Sequence, residues 1–174
     1  MKTFNSSRAH SIRIAAICAA FLGLVPAANA ATASGAMSVS ASVTGSCVVG
    51  ASTLAFPSVT SAVISAGNVD AVGNISVNCT AGSGYTVLLN TGSGAGSTLA
   101  NRKMSAGANQ WLGYSIYTTA ARTTVWGDGT SGSSTMVGVG TGLSQSIFAY
   151  GRIFQGQIAT AANYADVVNV TVQY

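Results

Sequence analysis

The chain has 174 residues and a formal charge of +4, from seven Lys/Arg and three acidic residues, all Asp. The single histidine, His10, and the basic residues Lys2, Arg8 and Arg13 all lie within the first thirty positions. Beyond them, Arg102, Lys103, Arg122 and Arg152 face Asp70, Asp128 and Asp166; this near-neutral balance gives no electrostatic case for nucleic acid, and without His a Ser/His/Asp or Cys/His nucleophile has no base.

The first thirty residues read as a secretory signal peptide. Lys2, Arg8 and Arg13 form a basic leader, Ile14–Val25 is an apolar run, and Ala28-Asn29-Ala30 is a small-x-small cleavage site, so a mature chain of 144 residues is expected to begin at Ala31. The apolar run falls short of the roughly 20 residues that span a bilayer, and no later stretch reaches that length. The expectation is an exported protein without stable membrane insertion. Cys18 leaves with the signal, so Cys47 and Cys79 remain. An even pair in an exported chain reads as a disulfide, with two free buried thiols as the alternative.

The remaining sequence carries strand signals and no sustained helical period. Met37, Val39, Ala41 and Val43 alternate with Ser38, Ser40, Ser42 and Thr44, the period of a half-buried strand. This is either an ordinary first strand or an appendage ahead of the domain. Strands are then expected at Cys47 to Phe56, Asn74 to Cys79, Tyr85 to Leu89, Trp111 to Tyr117 (Leu112, Tyr114 and Ile116 on one face), Arg122 to Trp126, Ser146 to Phe154 and Val167 to Tyr174. Gly127-Asp128-Gly129 is a tight-turn sequence. About seven strands with Gly/Ser/Thr-rich turns predict an all-β sandwich. In the last strand Val168, Val170, Val172 and Tyr174 alternate with polar neighbours, and an apolar strand at an open edge invites pairing.

Three scattered Asp and two Cys make no convincing metal site, and no cofactor is implied. Asp128 and Asp166 read as turn or surface residues. Gly92-Ser93-Gly94-Ala95-Gly96 lacks the Lys-Ser/Thr of a phosphate loop and reads as a mobile loop. Arg102-Lys103 reads as a solvated turn. The inventory excludes an enzyme. Trp111, Tyr114, Tyr117 and Trp126 could form an aromatic binding patch, although such residues in a sandwich more often serve the core.

Four stretches, in order along the chain, carry a resemblance. They are Thr44-Gly45-Ser46-Cys47-Val48-Val49-Gly50; Gly73 to Cys79; Leu112-Gly113-Tyr114-Ser115-Ile116-Tyr117 with Ala121-Arg122-Thr123 and Trp126-Gly127; and Tyr150-Gly151-Arg152-Ile153 with Gln157 and Tyr164-Ala165-Asp166. Together they resemble the spore coat protein U domain family, which includes subunits of archaic (Csu-type) chaperone–usher pili. Phe154 stands where a proline is common, and Asn163 where a glycine usually precedes the tyrosine.

The resemblance implies an incomplete immunoglobulin-like sandwich completed by donor-strand exchange. Residues 1–30 would be the signal, 31–45 the donor segment and 46–174 the pilin domain. Met37, Val39, Ala41 and Val43 would be the donor residues, and Val168, Val170, Val172 and Tyr174 one wall of the acceptor groove. The implied partners are a periplasmic pilus chaperone, an outer-membrane usher and identical or related subunits, in a surface pilus that supports adhesion and biofilm. The alternatives are an adhesive tip or sugar-binding module, and a coat-like surface protein assembled without an usher.

Overall fold

A computed structural model describes residues 30–174 except Ala51 and Ala108; the signal-peptide reading falls on positions outside the described residues. Residues up to Ala41 and residues Ser42–Tyr174 form separate units. The described part of the first, residues 30–41, has no regular secondary structure, and Met37 and Val39 are each 84% exposed.

The second unit is an all-β, immunoglobulin-like sandwich with one short helix. Its elements are β1 (Cys47–Val49), α1 (Ser61–Ala66), β2 (Val69–Cys79), β3 (Gly84–Leu89), β4 (Arg102–Ser105), β5 (Trp111–Tyr117), β6 (Met136–Val139), β7 (Ser144–Ile153) and β8 (Val170–Gln173). One sheet has the order β1-β2-β7-β5-β4 and the other β6-β3-β8, and all the pairings between these strands are antiparallel.

Alternation explains the long strands. In β2, Val69, Ile75, Val77 and Cys79 are buried, while Asp70, Val72 and Asn78 are exposed. Their inward side chains join Val87 and Leu89 of β3 and Ala149 and Ile153 of β7 in one core cluster. Trp126 closes that core: it is fully buried, and its indole Nε1–H donates to the Val87 carbonyl at 3.0 Å. On the outer face Asp70 and Arg152 are directly opposite in register and form a two-pronged ion pair at 2.7 and 2.9 Å, with Arg122 at 3.3 Å. Cys47 and Cys79, likewise opposite each other, are joined by a disulfide that ties β1 to β2.

Several expectations need correction. The first strand stops at Val49 rather than Phe56, and the last begins at Val170. Arg122 to Trp126 is not a strand: Arg122 has φ 53°, and only isolated bridges join Val125 to Tyr117 and Trp126 to Ser134. Arg102 is not in a solvated turn but fully buried in β4, where its guanidinium donates to the carbonyls of Asn90, Leu99 and Trp126 at 2.8–2.9 Å. Burial lowers its pKa, and the three carbonyls replace the water it gives up. Trp126, Tyr114 and Tyr117 are core residues, which leaves only Trp111 partly exposed and removes the aromatic patch.

Candidate functional site: an apolar groove between the sheets

A groove of about 880 Å³ opens between the two sheets. Its floor is the inward face of the larger sheet, with Ile75, Leu112, Tyr114, Ile116, Ala149 and Ile153 among its lining. Leu112, Tyr114 and Ile116 share the face that their spacing predicts, because successive strand residues point to opposite sides.

Two chain segments make the walls. The first runs from Ser52 to Ser61 and is held to the larger sheet by a bridge between Thr53 and Asn74. A Cβ on Gly73 would lie 2.2 Å from the Thr53 carbonyl oxygen, so glycine permits this close approach. Leu54 and Phe56 point from this wall into the core cluster. The second wall runs from Ala159 to Val170. Ala165 is bridged to Ser105 of β4 on the larger sheet, whereas Val170 opens β8 and pairs with Leu89 on the smaller one. The terminal chain therefore crosses from one sheet to the other along the groove. Between the walls the floor is formed by β7 and β5, and an extended chain seated there would need about 4.8 Å on each side to pair.

The expected acceptor residues divide along the terminal chain, with Val170 and Val172 in β8 and Val168 and Tyr174 flanking it. Val168 and Val170 line the groove, Val172 packs against the core beyond its lining, and Tyr174 is 66% exposed. Among the described residues β8 pairs only with β3, so its other edge carries no strand ladder, although β1 lies close to it. Val43 is 87% exposed, and the chain from Ser42 to Ser46 carries no strand.

One polar cluster interrupts the apolar lining. The Asp166 carboxylate accepts from Ser93 N, Ser93 Oγ, Tyr114 Oη and Val167 N, each at 2.7 Å. Burial raises its pKa, but the bonds from Tyr114 and Ser93 outweigh that and hold it below the usual carboxylate value. Burial, then the bond to Asp166, pushes the Tyr114 phenol up, so it stays a donor. Gly92 has φ +84°, and a Cβ there would lie 2.2 Å from Asp166 Oδ2, so the Gly-rich loop is pinned against this carboxylate. Asp166 is thus a hub rather than the turn residue its sequence context implies. The cue was the spacing Tyr164-Ala165-Asp166 ahead of the last strand.

Among the described residues no group of three or more His, Cys, Asp or Glu could hold a metal ion, and no helix is long and apolar enough to cross a membrane. The site offers shape, an unpaired strand edge and apolar pockets.

Comparison with known proteins places this arrangement. The chain is similar to a crystal structure of a chaperone–tip adhesion subunit pre-assembly complex from archaic chaperone–usher Csu pili of Acinetobacter baumannii. The TM-score is 0.54 and the identity 19% over 76% of this chain, which spans only 40% of the solved chain; this likeness concerns the fold. Protein U of Myxococcus xanthus is 34% identical over 172 residues, covering 92% of this chain and 95% of that one. The Spore Coat Protein U domain model matches residues 33–171. A match across nearly the whole described chain, joined to a full-length relative, shows that the chain belongs to the Spore Coat Protein U domain family.

Proposed function

We propose that this protein is a structural subunit of a chaperone–usher surface pilus and that its groove receives a β-strand from a neighbouring subunit. The observation that carries the reading is the open apolar groove beside the unpaired edge of β8. Such a groove is a poor end state for an isolated domain, because large apolar surfaces left in water favour association. Strand addition fills it, with backbone hydrogen bonds giving affinity and alternate side chains giving register.

The occupant is the segment 31–45 of the next copy, with Met37, Val39, Ala41 and Val43 facing the groove. Burying three such side chains and Ala41 is worth roughly 5–10 kcal/mol before ordering costs, an upper bound. Direction follows from the poles of the domain. The segment leaves its own domain at Cys47, beside Cys79, and Gly142 N donating to the Cys79 carbonyl marks that pole. Gln173 lies opposite Thr86 toward the same pole, whereas Val170 lies opposite Leu89 toward the other. A donor antiparallel to β8 places its attached body at the pole of Asp166, so each subunit is linked at opposite ends and the contact propagates as a filament. Before assembly, a periplasmic chaperone would lend a strand to the same groove and an outer-membrane usher would exchange it. Adhesion and biofilm formation follow as the fibre's role.

Deletion of residues 31–44 tests the reading. The truncated subunit should accumulate in complex with its chaperone and form no fibres. A truncated subunit that stays monomeric, soluble and highly stable with no partner would contradict it. The family name keeps one competing role in view, a surface coat assembled without an usher; chaperone and usher genes found beside this one would favour the pilus, and an isolated gene would favour the coat.

A further inference from the structure

The polar cluster in the groove lies across its width. Phe56, on one wall, meets the Tyr114 ring edge-on at 6.1 Å and 75°. Tyr114, on the floor, donates to Asp166 at 2.7 Å, and Asp166 belongs to the other wall. Asp166 also holds Ser93 by its N–H and its hydroxyl, and Val167 N is shared between the carboxylate and Ser93 Oγ. One carboxylate thereby joins the 92–93 loop, the floor strand β5 and the terminal chain just before it crosses to the smaller sheet. The Ser105–Ala165 bridge fixes the same segment through paired backbone bonds at 2.8 and 2.9 Å. Both ties pull this wall toward β4 and β5, away from the wall anchored at Asn74 on β2.

An apolar groove of this size tends to close when nothing fills it, since apolar walls in contact with each other are favoured over walls in water. The ties at Asp166 oppose that closure at one end. A seated strand would supply the same separation by itself, so the ties matter most while the groove is empty.

We propose that Asp166 and Tyr114 are positioning residues that hold the acceptor groove open for strand capture and add little to the finished joint. The inference rests on the strand-receiving reading above. Two substitutions separate the roles. Tyr114→Phe keeps the ring and its contact with Phe56 but removes the hydroxyl, which leaves Asp166 Oδ2 without that donor. Asp166→Asn keeps an acceptor for Ser93, and its amide can donate to the Tyr114 oxygen, which restores the tie with reversed polarity.

The experiment expresses the full chain in cells that carry its assembly machinery. It measures surface-fibre yield, and for the fibres that form, the temperature at which they fall to monomers in detergent. Tyr114→Phe should lower the yield about tenfold, the scale of one lost hydrogen bond to a charged group, with an unchanged dissociation temperature; Asp166→Asn should match the wild type in both. A parallel fall in yield and dissociation temperature for Tyr114→Phe would show an ordinary structural role and overturn the proposal. Unchanged yield would overturn it too, as would an Asp166→Asn variant as defective as Tyr114→Phe. Absence of fibres from the wild type would remove the underlying reading instead, and this inference with it.

Discussion

The guanidinium of Arg102 donates a 2.8 Å hydrogen bond to the main-chain carbonyl of Trp126, and both residues are fully buried. Arg102 also serves the carbonyls of Asn90 and Leu99, so one side chain satisfies three segments that have no ladder partners there. Arg102→Met should destabilise the protein by about 3–5 kcal/mol, because it strands three carbonyls at once. Arg102→Lys should recover only part, since an ammonium lacks the planar fork. Urea denaturation of the full chain checks both; a loss under 1 kcal/mol for Arg102→Met would contradict this account of the site.

The disulfide makes a second prediction. Cys47–Cys79 closes a loop with a sequence separation of 32 residues, which the chain-entropy model values at about 3–4 kcal/mol. Replacing both cysteines with serine should lower the urea midpoint accordingly. Intact-mass measurement with and without reduction should give a 2 Da difference, the two hydrogens gained on reduction of one bond. Two titratable thiols in the exported protein would contradict it.

Acid should weaken the domain in a defined window. The Arg152 bond lowers the Asp70 pKa, burial opposes it and Arg122 assists; Asp166 is also lowered, by bonds that outweigh its burial. In the folded protein both carboxyls therefore titrate below the ordinary range of an aspartate side chain. Their stabilisation is therefore fully present above the unfolded value and is lost as the pH falls through the folded ones. Melting temperature should be flat above about pH 5 and fall below about pH 4. Asp70 is partly exposed, so its share is modest and salt-sensitive. A melting temperature that rises between pH 4 and 2 would oppose this sign.

The proposed acceptor strand gives a prediction by face. Val170 lines the groove, and Thr171, one residue on, is exposed. Val170→Asp should place a carboxylate among Leu89, Ile116 and Val168 at a cost of several kcal/mol and abolish strand capture, while Thr171→Asp should be tolerated. Co-purification of the chaperone with each variant reads the difference. Equal recovery would put Val170 outside the acceptor surface.

Much of this architecture was legible because alternation is a local signal. β2, β3, β5 and β7 announce themselves through residues such as Ile75, Val77, Val87 and Ile116. β4 was hidden because it begins with Arg102-Lys103, and a buried arginine is recognisable only once the three carbonyls it serves are brought around it. β6 was hidden by Gly138 in a Gly/Thr-rich stretch. Arg122 to Trp126 looked like a strand because Thr, Val and Trp suit strands, yet Arg122 turns away at positive φ to reach Asp70 and stack over Tyr150. The groove was legible only through the family resemblance: its floor comes from strands distant in sequence, and the wall at 52–61 has no repeating pattern. Asp166 looked like a turn residue because its partners, Ser93 and Tyr114, lie 73 and 52 residues away.

In the proposed assembly residues 31–45 of one copy fill the groove of the next, with Met37, Val39, Ala41 and Val43 facing inward. A one-residue slip would turn every one of those side chains to the opposite face, so neighbouring substitutions must behave differently. The most direct measurement is surface-fibre yield by electron microscopy for Val39→Asp and Ser40→Asp, with the periplasmic chaperone complex quantified in parallel. Val39→Asp should lose fibres but keep the chaperone complex, while Ser40→Asp should form fibres as the wild type does. Equal fibre yields for the two variants would contradict the register, and loss of the chaperone complex with Val39→Asp would place that residue in the domain's own core.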